Sequence, residues 1–222
     1  QSVLGIYLIP VLAFLGATAT VTLVYQIARV GGEIHISSML LAGLAVSAVL
    51  SAIMSLLMIS SGQDLHSIVF WLIGGFSAAS WDQIKIALPL MIVALPFPFL
   101  YARELNVLLL GEERAQQLGV ETEAVKKILL VSASMVTAAA VSVSGLIAFV
   151  GLMTPHITRL IVGPEHRLLL PTALLSGALL LLLADTLARY VAMPGELPVG
   201  IITAILGGPF FLYLLKKKGR VF

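Results

Sequence analysis

The chain has 222 residues, 59% of them apolar and only 11% charged, with 13 Lys and Arg against 11 Asp and Glu for a formal net charge of +2. Soluble domains carry about 25% charged residues, so this composition excludes an ordinary water-soluble globule, and the small positive balance asks for no nucleic-acid partner. There is no cysteine, which excludes disulfides, thiolate metal sites and a cysteine nucleophile.

Charge-free runs cover Val3–Ala28, Ile36–Gln63, Ile86–Ala102, Ile128–Thr158, Leu168–Ala184 and Leu197–Leu215. Apolar runs of about 20 residues are the mark of membrane helices. Leu, Ala, Ile and Val with scattered Gly lack the alternation of an outer-membrane strand. Lipid also requires every backbone polar group to be paired within the segment. The predicted fold class is therefore all-α, a polytopic transmembrane helix bundle. The chain opens at Gln1 almost inside an apolar span, and Gln1–Ile9 holds no charged leader. A piece lacking its N-terminal portion is expected.

The run Ile128–Thr158 is roughly 46 Å long at about 1.5 Å per residue, too long for one upright crossing of a core about 30 Å thick and short for two. Positive charge decides. Two crossings that turn near Ser144-Gly145 put Arg29, Arg103, Arg114, Lys126, Lys127, Arg159, Arg167, Lys216, Lys217, Lys218 and Arg220 on one side and leave Lys85 and Arg189 on the other. A single crossing splits the same cations six against seven. The predicted spans are then 3–28, 36–60, 83–102, 127–144, 147–162, 168–190 and 197–215, with the basic side cytoplasmic.

Between spans two and three, Leu65, Ile68, Val69 and Leu72 recur at helical spacing in Gln63–Ala79, beside Trp71 and ahead of Trp81. Asp64 is the expected N-cap, and a short helix at the outer surface with interfacial tryptophans is predicted. Between spans three and four lies a polar knob, LLLGEERAQQLGVETEAVKK. Its first helix is expected to end at Gly119. ETEAVKK is expected to start a second short helix, with Glu112, Glu113 and Glu121 near helix starts, where the dipole favours them. Such a knob is either a solvated loop or a partner's handle.

Further along, His156 follows Pro155, and the four histidines His35, His66, His156 and His166 show no metal-ligand spacing. His156 is read as a buried residue at a kink, with a proton relay as the other possibility. His166-Arg167 belongs to a cytoplasmic turn, structural or partner-facing. Asp185 and Arg189 stand one turn apart on span six. A charge inside a membrane helix is costly and marks function, although an i,i+4 ion pair with Arg189 snorkelling outward also accounts for them. Gly195–Gly200 starts span seven with Pro198 in its first turn, and Glu196 is either a loop charge or part of the outer face. Gly207, Gly208 and Pro209 are expected to interrupt span seven and loosen it. No glycine loop ending in Lys-Ser/Thr is present, so ATP has no ordinary site here.

LLLGEERAQQLGV, GLIAFVGLMTPHITRLIVGPEHRLLLP, LLLADTLARY and GELPVGIITAILGGPFFLYLLKKK together resemble the FecCD-type permease family, the membrane subunits of ABC importers for iron chelates, haem and cobalamin. The likeness runs from LLAG (Leu40–Gly43) and FWLIGG (Phe70–Gly75) to the C-terminus, and the joint pattern GxxxPHxxRLxxGxxHRxLLP is its most specific part. Ala148, where Gly is usual, and Met153-Thr154, in place of a β-branched pair, depart from it.

The resemblance implies a BtuC-like permease fold lacking its N-terminal helices. Residues 1–222 form a single transmembrane permease domain holding the last seven of about ten helices, with cytoplasmic coupling helices at 111–127. By the same resemblance Glu112, Glu113, Arg114, Ala115, Gln116, Leu118 and Gly119 engage the ATPase subunit. Arg189 and Glu196 face the substrate-binding protein, and Ile36, Ser37, Gly207, Gly208 and Pro209 line the gate and pathway. The implied partners are two ATPase copies, a binding protein, a second permease copy and membrane lipid. No cofactor is bound directly, ATP being used by the partner subunit. The implied location is the cytoplasmic membrane of a bacterium or archaeon, and the implied cargo an iron-siderophore or haem, or else cobalamin. Two readings of other classes stay open: a secondary carrier or channel using Asp185, and a membrane-embedded enzyme using His156 and Asp185.

Overall fold

The computed structural model describes residues 3–30, 33–34, 36–60, 65–77, 79–193, 195 and 197–218. Helix α1 (Val3–Ala28) is followed by strands β1 (Arg29–Val30) and β2 (Glu33–Ile34), then α2 (Ile36–Ser60) and α3 (Leu65–Ile73). Helices α4 (Trp81–Ala94), α5 (Pro96–Leu100) and α6 (Ala102–Leu108) lead to α7 (Glu112–Gln117). The chain then runs through α8 (Thr122–Ser144), α9 (Val150–Val162), α10 (His166–Ala192) and α11 (Val199–Lys218).

Four stretches among the described residues are long and apolar enough to cross a membrane: Ser37–Ser60, Trp81–Leu100, Thr122–Ser144 and His166–Ala192. Three shorter apolar helical stretches, Leu15–Ala28, Val150–Val162 and Val199–Leu214, complete the pattern. The fold is the expected all-α bundle with one addition. β1 and β2 pair antiparallel, Arg29 opposite Ile34 and Val30 opposite Glu33, and make a two-residue ribbon between α1 and α2.

Packing falls into two groups. Helix α8 lies against α1, α4 and α5, and α2 lies on α1; α10 lies against α9 and α11 and also touches α5 and α6. Small residues set the spacing: Gly177 of α10 sits over Thr154 of α9. Both departures at Met153 and Thr154 are buried, and the Thr154 hydroxyl donates to the Val150 carbonyl at 2.7 Å. Side chains facing outward along α2 are mostly apolar, including Leu40, Leu44, Ile53 and Ile59, and the exposed Ser55 and Ser60 hydroxyls turn back onto the helix's own carbonyls.

Three expectations need correction. Span three is present over Trp81–Leu100 but is made of two helices, α4 and α5, parted at Leu95, and α6 follows it after Tyr101. Pro96 and Pro98 remove two backbone donors. The carbonyl of Ala94, left without the N–H that residue 98 would have supplied, accepts from the buried Ser132 hydroxyl at 2.6 Å. The second short helix of the knob does not exist separately, because ETEAVKK runs without a break into α8. Helix α11 passes continuously through Gly207, Gly208 and Pro209, since the neighbouring turns keep enough backbone bonds to carry a proline inside the helix.

The predicted turn at Ser144-Gly145 is present: α8 ends at Ser144, and Gly145 has φ 66°. A backbone joint closes the bundle there, at the end away from α7. Gly75 N–H donates to the Ser144 carbonyl at 2.8 Å, and Gly200 N–H donates to the Gly74 carbonyl at 3.1 Å. A Cβ on Gly145 would lie 2.1 Å from the Trp71 carbonyl oxygen, and one on Gly200 1.7 Å from that of Ile73. Backbone touches backbone at both places, which only glycine permits. Beside the joint, Ala184, Ala188, Val199 and Ile202 form a buried cluster covered by Phe76, Leu181 and Leu197.

Candidate functional site

The knob is built on Ala115. Helix α7 begins after Gly111 (φ 102°) and ends before Gly119 (φ 83°). Val120 N–H returns to the Ala115 carbonyl at 3.0 Å, a C-terminal closure that glycine allows. Ala115 is 0% exposed, so it is the seat of α7 and cannot touch a partner. Two side chains fasten the seat to α8. Glu112 pairs with Lys126, which also reaches Glu123 at 3.3 Å. Gln116 donates to the Thr122 hydroxyl at 3.1 Å.

What remains faces outward. Glu113, Arg114 and Gln117 are exposed, and Leu118 is 64% exposed. A leucine held out to solvent beside a carboxylate and a guanidinium, on a helix clamped from behind, can enter a groove and fix its register by charge. The structure thus divides the expected coupling residues. Glu113, Arg114 and Leu118 are presented, Ala115 is buried, Glu112 and Gln116 hold the helix down, and Gly119 shapes its end. Lys126 and Thr122 were not singled out from sequence. The signal for them was opposite charges, Glu112 and Lys126, on either side of a tight glycine turn.

At the other end of α10, Arg189 Nε donates to Asp185 Oδ2 at 2.8 Å. The arginine side chain is 65% exposed and the aspartate 24%. Asp185 therefore orients Arg189, and the outer edge of the guanidinium stays available. Tyr190 and Met193 beside it are also exposed, as is Trp81 at the start of α4. Glu196 lies outside the described residues, as does Asp64. Ser37 is exposed in the first turn of α2, and Ile36 opens that helix directly after the β1–β2 ribbon. The ribbon went unforeseen, although Gly31-Gly32 between two short extended pairs is a hairpin signal.

Of the expected pathway residues on α11, Gly207 is a packing seat. Phe149, a non-glycine residue at φ 68°, sets its ring against it, where a Cβ would come within 2.3 Å of the Phe149 Cβ. Gly208 has nothing within 4 Å, and Pro209 is exposed.

His156 and Asp185 do not converge. The His156 ring stands edge-on to Phe210 with centroids 6.0 Å apart, while Asp185 is engaged by Arg189. His166 is buried and bonded to Asn106, which makes it structural. Among the described residues no three His, Asp or Glu side chains gather to hold a metal. A crevice of about 420 Å³ beside α4 and α8, lined by Met91, Val136, Ala140 and Ile147 among others, is mostly apolar, with Thr137 and Ser144 its polar side chains.

The profile of the FecCD transport family matches residues 1–217. The chain is 48% identical to the cobalamin import system permease protein BtuC of Halobacterium salinarum, over 93% of this chain and 55% of that protein. It is 41% identical to the hemin transport system permease protein HmuU of Yersinia pestis, over 97% of this chain and 64% of that one. It is also 41% identical to the Fe(3+) dicitrate transport system permease protein FecD of Escherichia coli, over 96% and 66%. A solved structure described as an inward-facing metal-chelate type ABC transporter superposes with a TM-score of 0.83 at 32% identity, over 92% of this chain and 65% of that one. The chain thus spans between about half and two thirds of the length of these relatives.

Proposed function

The chain belongs to the FecCD transport family, and from that premise we propose that it is the membrane-spanning part of an ATP-driven importer for a metal chelate. The observation that carries the reading is the knob: Glu113, Arg114 and Leu118 presented on a helix whose back is buried at Ala115 and tied to α8. The multi-pass bundle sits in a prokaryotic cytoplasmic membrane with the knob in the cytosol. Each of two permease copies offers its knob to one of two ATPase subunits. When those subunits close on ATP they move α7, and α7 moves α8 because the two are clamped. The bundle is then biased between openings by contacts that differ in the two states. Arg189, steadied by Asp185, receives an acidic group of a cargo-bearing binding protein on the other face.

The cargo we propose is a metal wrapped in an organic ligand, with a ferric siderophore or haem as the first choice. Cobalamin is the second reading, favoured by the 48% identity to a cobalamin permease. A carrier working through a free Asp185, or an enzyme pairing His156 with Asp185, is disfavoured because Arg189 holds Asp185 and His156 packs on Phe210.

The test is purification of the whole transporter from its native membrane, followed by uptake of ferric siderophore, haem and cobalamin in proteoliposomes. Replacing Glu113, Arg114 and Leu118 together by Ala is expected to release the ATPase subunit and abolish uptake. Uptake of a chelate with no ATPase subunit present would sink the reading.

A further inference from the structure

Asn106 lies on α6 and His166 opens α10, 60 residues further along the chain. The Asn106 carboxamide oxygen Oδ1 takes two contacts, both 2.8 Å, from the backbone N–H of His166 and from Nδ1 of its ring. The first of these caps α10 from outside. The opening N–H groups of a helix have no partner within it, and Glu165, the N-cap of α10, contributes no side-chain bond. The second fixes the ring of a histidine that is itself buried. One oxygen with two lone pairs serves both donors, which is why an amide suits this position and an apolar side chain of the same size does not.

The place of this clasp in the fold gives it a mechanical consequence. Helix α6 feeds α7 through a tight turn in which Leu110 N–H bonds Val107 and Gly111 N–H bonds Leu108, at 3.0 and 3.1 Å. It also packs on both α7 and α10. The knob therefore has two attachments: one to α8 through Glu112–Lys126 and Gln116–Thr122, and one to the first turn of α10 through Asn106. Helix α10 carries Arg189 near its far end.

We propose that Asn106 is a positioning residue for transport. It ties the coupling helix to the start of α10, so that displacement of the knob and engagement of Arg189 bias one and the same movement. The inference rests on the permease reading above and deepens it. Coupling between distant sites is reciprocal, so the tie also carries binding-protein docking back to the ATPase subunits.

The test uses the complete transporter in proteoliposomes, with hydrolysis measured in the presence and absence of cargo-loaded binding protein. Asn106→Leu removes the acceptor at nearly constant size. It is expected to keep the ATPase subunits bound and basal hydrolysis intact, while stimulation by the binding protein falls about tenfold, the scale of ordinary coupling between sites. Asn106→Asp keeps the acceptor and adds a charge that a helix N-terminus favours; stimulation is expected to return. Full stimulation in Asn106→Leu, or equal loss in both variants, overturns the inference.

A second arm does not depend on how the Leu variant folds. These 222 residues hold no cysteine, so Asn106→Cys with His166→Cys makes a pair unique among them, and the same oxidation of the transporter without the pair is the control. Oxidation is expected to restore stimulation and reduction to remove it, and identical rates in the two states overturn the proposal. Wild-type vesicles that bind no ATPase subunit overturn the permease reading, and this inference with it. Coupled wild type beside coupled Asn106→Leu overturns this inference alone.

Discussion

Ser132 is the clearest case of one atom answering another. Its hydroxyl is spent on the Ala94 carbonyl at 2.6 Å, which Pro98 cannot bond. Ser132→Ala leaves that buried oxygen bare and is expected to lower stability by about 1–3 kcal/mol, read as a fall in the thermal midpoint in detergent; an unchanged midpoint would refute the assignment. Lys126 is a gentler case, because Glu112 and Glu123 are about half exposed and such pairs contribute little, about 0.2–1 kcal/mol. Lys126→Met should leave the melting temperature nearly where it was while amide exchange within Glu112–Gln117 quickens. Equal exchange would mean that Ala115 and the Gln116–Thr122 bond hold the knob without Lys126. The first contact has no sequence signal, and the second has only opposite charges flanking a glycine turn. A serine in an apolar run and a lysine in a charged one look ordinary until the chain has brought Ala94 and Glu112 to them.

Among the elements, α9 and α11 fit most tightly where Phe149 meets Gly207. Phe149 occupies a left-handed backbone conformation that a bulky residue rarely adopts, and its ring fills the space left by Gly207. Gly207→Ala must push the phenylalanine away and is expected to cost about 1–3 kcal/mol by overpacking. Gly208→Ala, one residue on and facing open space, should be neutral or slightly stabilising, because alanine favours helix. Thermal melts of the two variants side by side decide the matter, and equal behaviour would contradict the packing. Element type and order were legible from hydrophobic run length and cation placement. The breaks were less so. Pro96 and Pro98 did divide span three, whereas Pro209 did not divide α11, since a proline's effect depends on whether neighbouring turns and side chains take up the freed carbonyls.

For the whole molecule, the two ends are built differently. The knob end is joined by side chains: Glu112 to Lys126, Gln116 to Thr122, Asn106 to His166. The opposite end is joined by backbone at Gly74, Gly145 and Gly200. The knob itself could be read from its charge, but its division into presented and buried faces could not, because Ala115 becomes a seat only once α8 lies behind it. On the face proposed to dock a binding protein, Asp185→Ala should leave Arg189 present but unsteadied, and weaken binding-protein affinity by less than Arg189→Glu does. The reversal is expected to cost tenfold or more, on the order of the charge effects seen at interfaces, and titration of labelled binding protein against the embedded transporter measures both. Equal affinities in both variants and wild type would overturn the proposed docking role of Arg189.

The glycine joint also dictates an order of biogenesis. Its three backbone segments come from parts of the chain more than 50 residues apart, and the Gly74 carbonyl receives its N–H from α11, which is made after the other two. A nascent chain halted before Gly200 can make the Gly75–Ser144 bond but lacks the second one, from Gly200 to Gly74. In such an intermediate the joint is half made until α11 arrives, and that helix serves as the bolt.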